Sequence, residues 1–187
     1  GSAGLLREGK GTTWEGGQMV PGIFWGAGIK PGVISDLGST MDIFPTLLEM
    51  SNTSMVNDRI MDGISMKNTL LDHEPSRRKA IFFYRSREIY AVRYREYKAH
   101  FITQGSYNYP KGSDREIVLD KPLLYNLNID PSEKYNIADK KYVITWYTKS
   151  LDSFNNTEFK IYFIDVDLNG YTSCFLLDEP VQRIVYT

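Results

Sequence analysis

The chain has 187 residues, 42% of them apolar and 24% charged, a mixture that builds one or two small folded domains and excludes a disordered segment. Lys and Arg (22) balance Asp and Glu (23) to a formal charge of −1, so bulk electrostatics give no reason to expect nucleic acid or an anionic membrane as partner. No apolar run reaches the roughly 18 residues of a spanning helix, and the one cysteine, Cys174, excludes an internal disulfide framework.

The opening stretch, GLLREGKGTTWEGG (4–17), places Gly4, Gly9 and Lys10 at the G-x-x-x-x-G-K spacing of a phosphate-binding loop. Such a loop needs Ser or Thr directly after the Lys and a helix behind it. Here Gly11 follows Lys10, and Gly16-Gly17 interrupt any helix. MVPGIFWGAG (19–28) then reads as a short buried strand feeding a loop. Ser39 and Asp42 form an S-x-x-D start signal before IFPTLLEM, where Ile43, Phe44, Leu47 and Leu48 share one helical face. Pro45 is tolerable only in the first turn, which makes Asp42 the expected N-cap. Residues 61–71 read as a turn and a short helix, and DHEPSRRK (72–79) as a polar connection between subdomains.

From Ala80 the apolar period changes to two. AIFFYR, REIYAVRY, YKAHFITQ and PLLYNLN are four expected strands, with a hairpin turn at Arg95-Glu96 or Tyr94-Arg95. Either register puts Tyr90, Val92, Tyr97, Ala99 and Phe101 on the core side and Arg93, Lys98 and His100 on the other, giving an antiparallel sheet with one apolar and one cationic face. NIDPSEKYNIAD closes the unit with an Asp-Pro turn. Beyond Lys141 the composition shifts to Tyr, Phe, Asn, Thr and Ser, with an alternating strand in FKIYFIDVDL. The expected units are therefore 1–75, the edge of a larger α/β domain; 76–140, a small antiparallel sheet; and 141–187, a divergent tail.

On the residues alone, Lys10 has two readings. It is a solvated lysine in a glycine-rich surface loop, or it is an ammonium set in place for a tetrahedral sulfuryl or phosphoryl group. For the second, Gly9 and Gly11 would free the backbone for close approach, and Thr12 with Glu15 would form a capping box that stiffens the turn.

The blocks GSAGLLREGKGTTWEGG, PGIFWGAGIKPG, LGSTMDIFPTLLEM, MDGISM, YKAHFITQG and PLLYNLNIDPSEKYNIAD, in this order from Gly1 to about Asp139, resemble the C-terminal half of the sulfatase family, in its arylsulfatase A and N-acetylgalactosamine-6-sulfatase group. The resemblance implies an alkaline-phosphatase-like α/β fold with a small antiparallel subdomain, and hydrolysis of sulfate esters on a small molecule, glycan or sulfolipid. It implies that Lys10 contacts the sulfate and acts in catalysis, and that His100, in the matching KAHF run, can donate to a sulfate or sugar hydroxyl. The formylglycine nucleophile and a Ca²⁺ site belong to the family's N-terminal half, so no metal ligand is expected within this chain, which alone should be inactive. Missing both an initial Met and a leader, the sequence reads as a piece of a longer polypeptide. A lysosomal or secreted location follows from the resemblance, and the sequons at Asn52 and Asn155 allow it. Relatives often carry a cysteine two residues before the motif Lys; Glu8 stands there, so a loop-tying disulfide is absent.

Other signals are weaker. His73 precedes P-S-R in a linker, where a formylglycine precursor would need Cys or Ser. Asp165 to Leu176 imitates an EF-hand loop but ends in Leu rather than a bidentate Glu, and Asn169-Gly170 suits a hairpin turn. The basic residues Arg77, Arg78, Lys79, Arg85, Arg87, Arg93, Arg95 and Lys98 suggest the wet face of a sheet or, in a different class of function, a non-catalytic module that binds sulfated glycans through that face.

Overall fold

A computed structural model describes residues 2–26, 28–54, 58, 60–85, 88–105 and 116–138, together with the backbone of three further strands within 142–176. A single-turn helix, α1 (Glu15–Gln18), follows the opening loop. The 3₁₀ turn Thr40–Asp42 leads directly into α2 (Ile43–Met50), and α3 (Lys67–Asp72) precedes the sheet.

Ser39 caps the 3₁₀ turn. Its hydroxyl accepts the Met41 N–H at 3.3 Å, and its own N–H donates to Asp42 Oδ2 at 2.8 Å, so the S-x-x-D signal forms a reciprocal box. Helix α2 begins one residue after Asp42, with Pro45 in the first turn, where no intrahelical N–H bond is lost. The expected inward face is different: Pro45 and Thr46 are buried, whereas Ile43, Phe44 and Leu47 are 42%, 50% and 59% exposed. Thr46 is held because its hydroxyl donates to the Asp42 carbonyl at 2.6 Å and accepts the Met66 N–H at 2.9 Å.

Strands β1 (Ala80–Arg85), β2 (Glu88–Tyr94), β3 (Tyr97–Thr103) and β4 (Ile117–Asn126) form an antiparallel meander in the order β1-β2-β3-β4. Tyr94 pairs with Tyr97, so the turn is Arg95-Glu96, and Arg95 takes a left-handed conformation at φ 52°. The ladder between β3 and β4 shifts register between His100 and Ile102, and Pro122, which has no N–H to give, lies in the edge strand beside that irregularity. One face buries Ala80, Val92, Ala99 and Leu124 as an apolar core, with Phe82, Tyr97 and Phe101 packed against it.

The expected subdomain connection at 72–79 is tightly bonded to what precedes it. Ser76 Oγ donates to the Leu37 carbonyl at 2.7 Å, and Arg78 reaches back to Asp42. Within the tail, β5 (Tyr142–Ser150), β6 (Thr157–Val166) and β7 (Thr172–Leu176) form a second antiparallel sheet in that order. Val166 pairs with Thr172, as a hairpin between β6 and β7 requires. Asn169, Gly170 and the Asn155 sequon lie outside the described residues.

Candidate functional site

The second face of the meander carries the site, and it is not the open cationic surface its sequence suggests. Lys98 and His100 are both 0% exposed. Trp14 and Glu15 from the end of the opening loop, and Glu133 from the turn after β4, lie on top of them. Charges on alternate strand positions can face water or a covering layer of opposite charge, and here the covering layer is supplied by residues far away in sequence.

The closing turn owes its shape to two polar side chains. Asp130 Oδ2 accepts the N–H groups of Lys134 and Tyr135, each at 2.8 Å, folding the chain back on itself. Asn136 Oδ1 accepts the N–H of Leu124 and of Ala138, each at 3.0 Å, which fastens the turn to β4. Between them Glu133, at φ 50°, is turned fully into the interior.

Four ionisable groups then meet out of water. Lys98 Nζ lies 2.8 Å from Glu15 Oε1 and 3.5 Å from Glu133 Oε1, and 4.6 Å above the Phe83 ring. His100 Nε2 is 2.6 Å from Glu133 Oε1. Arg93 Nη1 reaches Glu15 Oε2 at 3.3 Å from a partly exposed position. Burial is the largest influence on His100 and pushes its pKa below the ordinary 6.5; Lys98 and Arg7 push the same way, against the carboxylate of Glu133. A neutral ring facing a carboxylate must donate from Nε2, which leaves Nδ1 the lone-pair nitrogen, and Nδ1 has no hydrogen-bond partner among the described residues. For Glu133, burial pushes the pKa up, but the bond to His100, the charge of Lys98 and the Glu15 N–H outweigh it and hold the carboxyl below 4.5.

Above this network sits the loop bearing Lys10. Thr12 donates to the Gly9 carbonyl from its N–H at 3.2 Å and from its hydroxyl at 2.9 Å. On the other side of Lys10, Arg85 Nη1 donates to the Gly11 carbonyl at 3.1 Å. The carbonyls of the two glycines beside Lys10 are thus held, while the Lys10 side chain is exposed and forms no ion pair with a described residue. Gly11, at φ +96°, needs to be glycine. Gly9 has an ordinary φ and open space where a Cβ would stand, so the freedom expected of it is not used.

The expected Thr12–Glu15 capping box does not form. No side chain caps α1 at Trp14; the Glu15 carboxylate is committed to Lys98 and Arg93, and the Glu15 N–H goes to Glu133 Oε2 at 2.6 Å. Gly16 and Gly17 allow this helix turn to press on the loop: a Cβ on Gly16 would stand 2.3 Å from the Arg7 carbonyl oxygen, and one on Gly17 would stand 2.6 Å from that of Gly9.

Residues 76–160 match the profile described as the C-terminal region of aryl-sulfatase. Arylsulfatase A of Bos taurus is 40% identical over 152 residues, covering 74% of this chain and 30% of the relative. Arylsulfatase A of Homo sapiens is 41% identical over 150 residues, covering 73% and 29% respectively. Among solved structures, the PsFucS1 sulfatase from Pseudoalteromonas sp. superposes with a TM-score of 0.60 at 34% identity, covering 70% of this chain and 28% of that one. The chain belongs to the sulfatase family. It spans about 30% of the length of the curated sulfatases it matches, and its meander is the sheet of the sulfatase C-terminal region.

Within this sulfatase region no group of three or more His, Cys, Asp or Glu suited to a metal occurs among the described residues. The carboxylates of the buried network, Glu15 and Glu133, are already engaged by Lys98, Arg93 and His100. These side chains do not fit a calcium site. His73 caps the C-terminus of α3 in a left-handed conformation and is exposed. Arg78, expected in the cationic cluster, is instead buried against Asp42. Of the basic residues named for a glycan-binding face, Lys98 and Arg78 are buried and closed to a glycan, whereas Arg77, Lys79 and Arg95 are exposed.

The sequence reading missed Arg7, Trp14 and Glu133. The Arg7 guanidinium lies 3.7 Å over the Trp14 ring, and Trp14 packs 4.0 Å from His100. The available signal was the Glu of the D-P-x-E turn, an acidic residue in a closing loop opposite two buried-parity cations.

Proposed function

We propose that this chain is the C-terminal part of an arylsulfatase-like sulfuric ester hydrolase and that Lys10 is its contribution to the reaction. The observation that carries the reading is Lys10 itself, an exposed ammonium between two glycines whose carbonyls are held by Thr12 and Arg85. A lysine so mounted offers three N–H donors and a positive charge from a held stretch of backbone. That is what a transition state collecting negative charge on sulfuryl and leaving oxygens requires. The nucleophile, a formylglycine by resemblance, and any calcium ligands are assigned to polypeptide outside this chain. His100 takes no direct part in this reading: being buried, it supports the face on which the loop rests.

The substrate class is a sulfate ester of a small molecule, glycan or sulfolipid, and the compartment is lysosomal or extracellular. Asn52, exposed in an N-T-S sequon just after α2, is an accessible N-glycan acceptor in such a compartment. The test is Lys10→Ala in the intact enzyme that contains this region. We expect kcat for sulfate release to fall about a hundredfold or more, the scale of losing one transition-state donor. An unchanged kcat removes Lys10 from the mechanism.

A further inference from the structure

We propose that Glu133 is a positioning residue for Lys10: a single side chain in the closing turn sets where the sulfate-facing loop lies. The role in sulfate chemistry rests on the function proposed above. The anchoring itself rests on contacts alone.

Glu133 meets the opening loop at both ends. Its Oε2 accepts the Glu15 N–H at 2.6 Å, and its backbone carbonyl accepts Arg7 Nη1 at 2.8 Å. Lys10 stands between these two attachments in sequence, and the ring of Trp14 links them, with Arg7 over it and His100 beside it. The same carboxylate holds His100 at 2.6 Å, and Lys98 lies 3.5 Å away, so the attachment is rooted in β3 rather than in another loop. Lys98 in turn grips the Glu15 carboxylate at 2.8 Å, closing a cycle of charges around the loop's end.

Two features mark this arrangement as specified. Glu133 is held at φ 50°, a left-handed conformation that L-residues with a Cβ adopt at a cost, and one that persists only where surroundings enforce it. No disulfide is available to the loop, since it contains no cysteine and the chain's one cysteine is Cys174. The carboxylate does the tying that a covalent bond would otherwise do. Neighbouring Ser132 adds a third point, donating to the Leu5 carbonyl at 2.7 Å.

Amide hydrogen exchange on the full chain, read by peptide mass spectrometry, tests this directly. Glu133→Ala is expected to speed exchange across 8–18 by about tenfold or more, the scale of losing a buried charge-assisted bond, while the β2–β3 hairpin keeps its protection. Trypsin cleavage after Lys10 should quicken in parallel. Unchanged exchange in 8–18 overturns the proposal, and so does an equal rise in loop and hairpin, which would make Glu133 a general stabiliser of the fold. Should Glu133→Ala fail to fold, Glu133→Asp keeps the charge for Lys98 and His100 but withdraws the acceptor from Glu15. The same selective rise is then expected, and its absence overturns the proposal. Lys10→Ala should leave exchange in 8–18 at the unmodified level, so loss of the catalytic reading and loss of the anchoring reading give different results.

Discussion

Arg78 and Asp42 meet through a two-pronged ion pair in the interior, Nε on Oδ2 at 2.8 Å with Nη2 on Oδ1 beside it. Asp42 also accepts the N–H groups of Ser39 and Ile64, each at 2.8 Å, and Arg78 donates to the Asp62 carbonyl at 2.7 Å. One carboxylate therefore joins the entry to α2, the segment before α3 and the approach to β1.

Removing one partner of such a pair strands the other charge without water. Asp42→Ala is expected to destabilise the chain by about 3–5 kcal/mol, measured by urea unfolding. Arg78→Lys should also destabilise, because a point ammonium cannot reproduce the guanidinium fork. The double variant should cost less than the two single changes added together.

Stability should fall on acidification from neutrality. His100 is held below 6.5 in the fold, so between its folded and unfolded values the unfolded chain binds more protons, and each drop in pH across that window favours unfolding. Glu133 acts lower down: its contribution is complete above 4.5 and is lost as pH falls through its depressed folded value. The charged groups facing His100 are Glu133, Lys98 and Arg7. Thermal unfolding midpoints should decline between about pH 7.5 and 5, and His100→Gln, which can still donate to Glu133, should flatten that decline. An equal decline in both proteins would place the effect elsewhere.

The glycines around Lys10 should separate cleanly by substitution to alanine. Gly16→Ala and Gly17→Ala drive a Cβ into backbone oxygens, at 2.3 Å and 2.5 Å from the Arg7 and Thr12 carbonyls, and should cost about 1–3 kcal/mol each. Gly11→Ala should cost about 1–2 kcal/mol from its positive φ. Gly9→Ala meets nothing within 4 Å at an ordinary φ and should be neutral or slightly stabilising. Comparing unfolding midpoints of the four variants checks the ranking.

Much of the fold was legible in the sequence because its signals are local. The alternation in 80–103 sets the first three strands, the S-x-x-D signal and Pro45 set the start of α2, and Asp130 sets the closing turn. The candidate site was less legible because its chemistry is non-local. Lys98 and His100 find Glu15 and Glu133 across 83 and 33 residues, and nothing within KAHF distinguishes a covered cation from a wet one. Thr12 and Glu15 fit a capping box by spacing, yet the stronger attraction of a buried ammonium draws the Glu15 carboxylate away. The stripe Ile43, Phe44 and Leu47 shows the converse problem: periodicity announces an apolar face without saying what covers it, and here it faces outward.

Pro122 has a consequence for how copies of this chain meet. The outer strands of a meander offer unsatisfied backbone groups to any passing extended peptide. On the β4 side, Pro122 and the shifted register leave that row broken, a poor template for templated growth. The opposite margin, Ala80–Arg85, has no proline, and although its own ladder shifts register between Phe83 and Tyr84, it is the better of the two templates for an added strand.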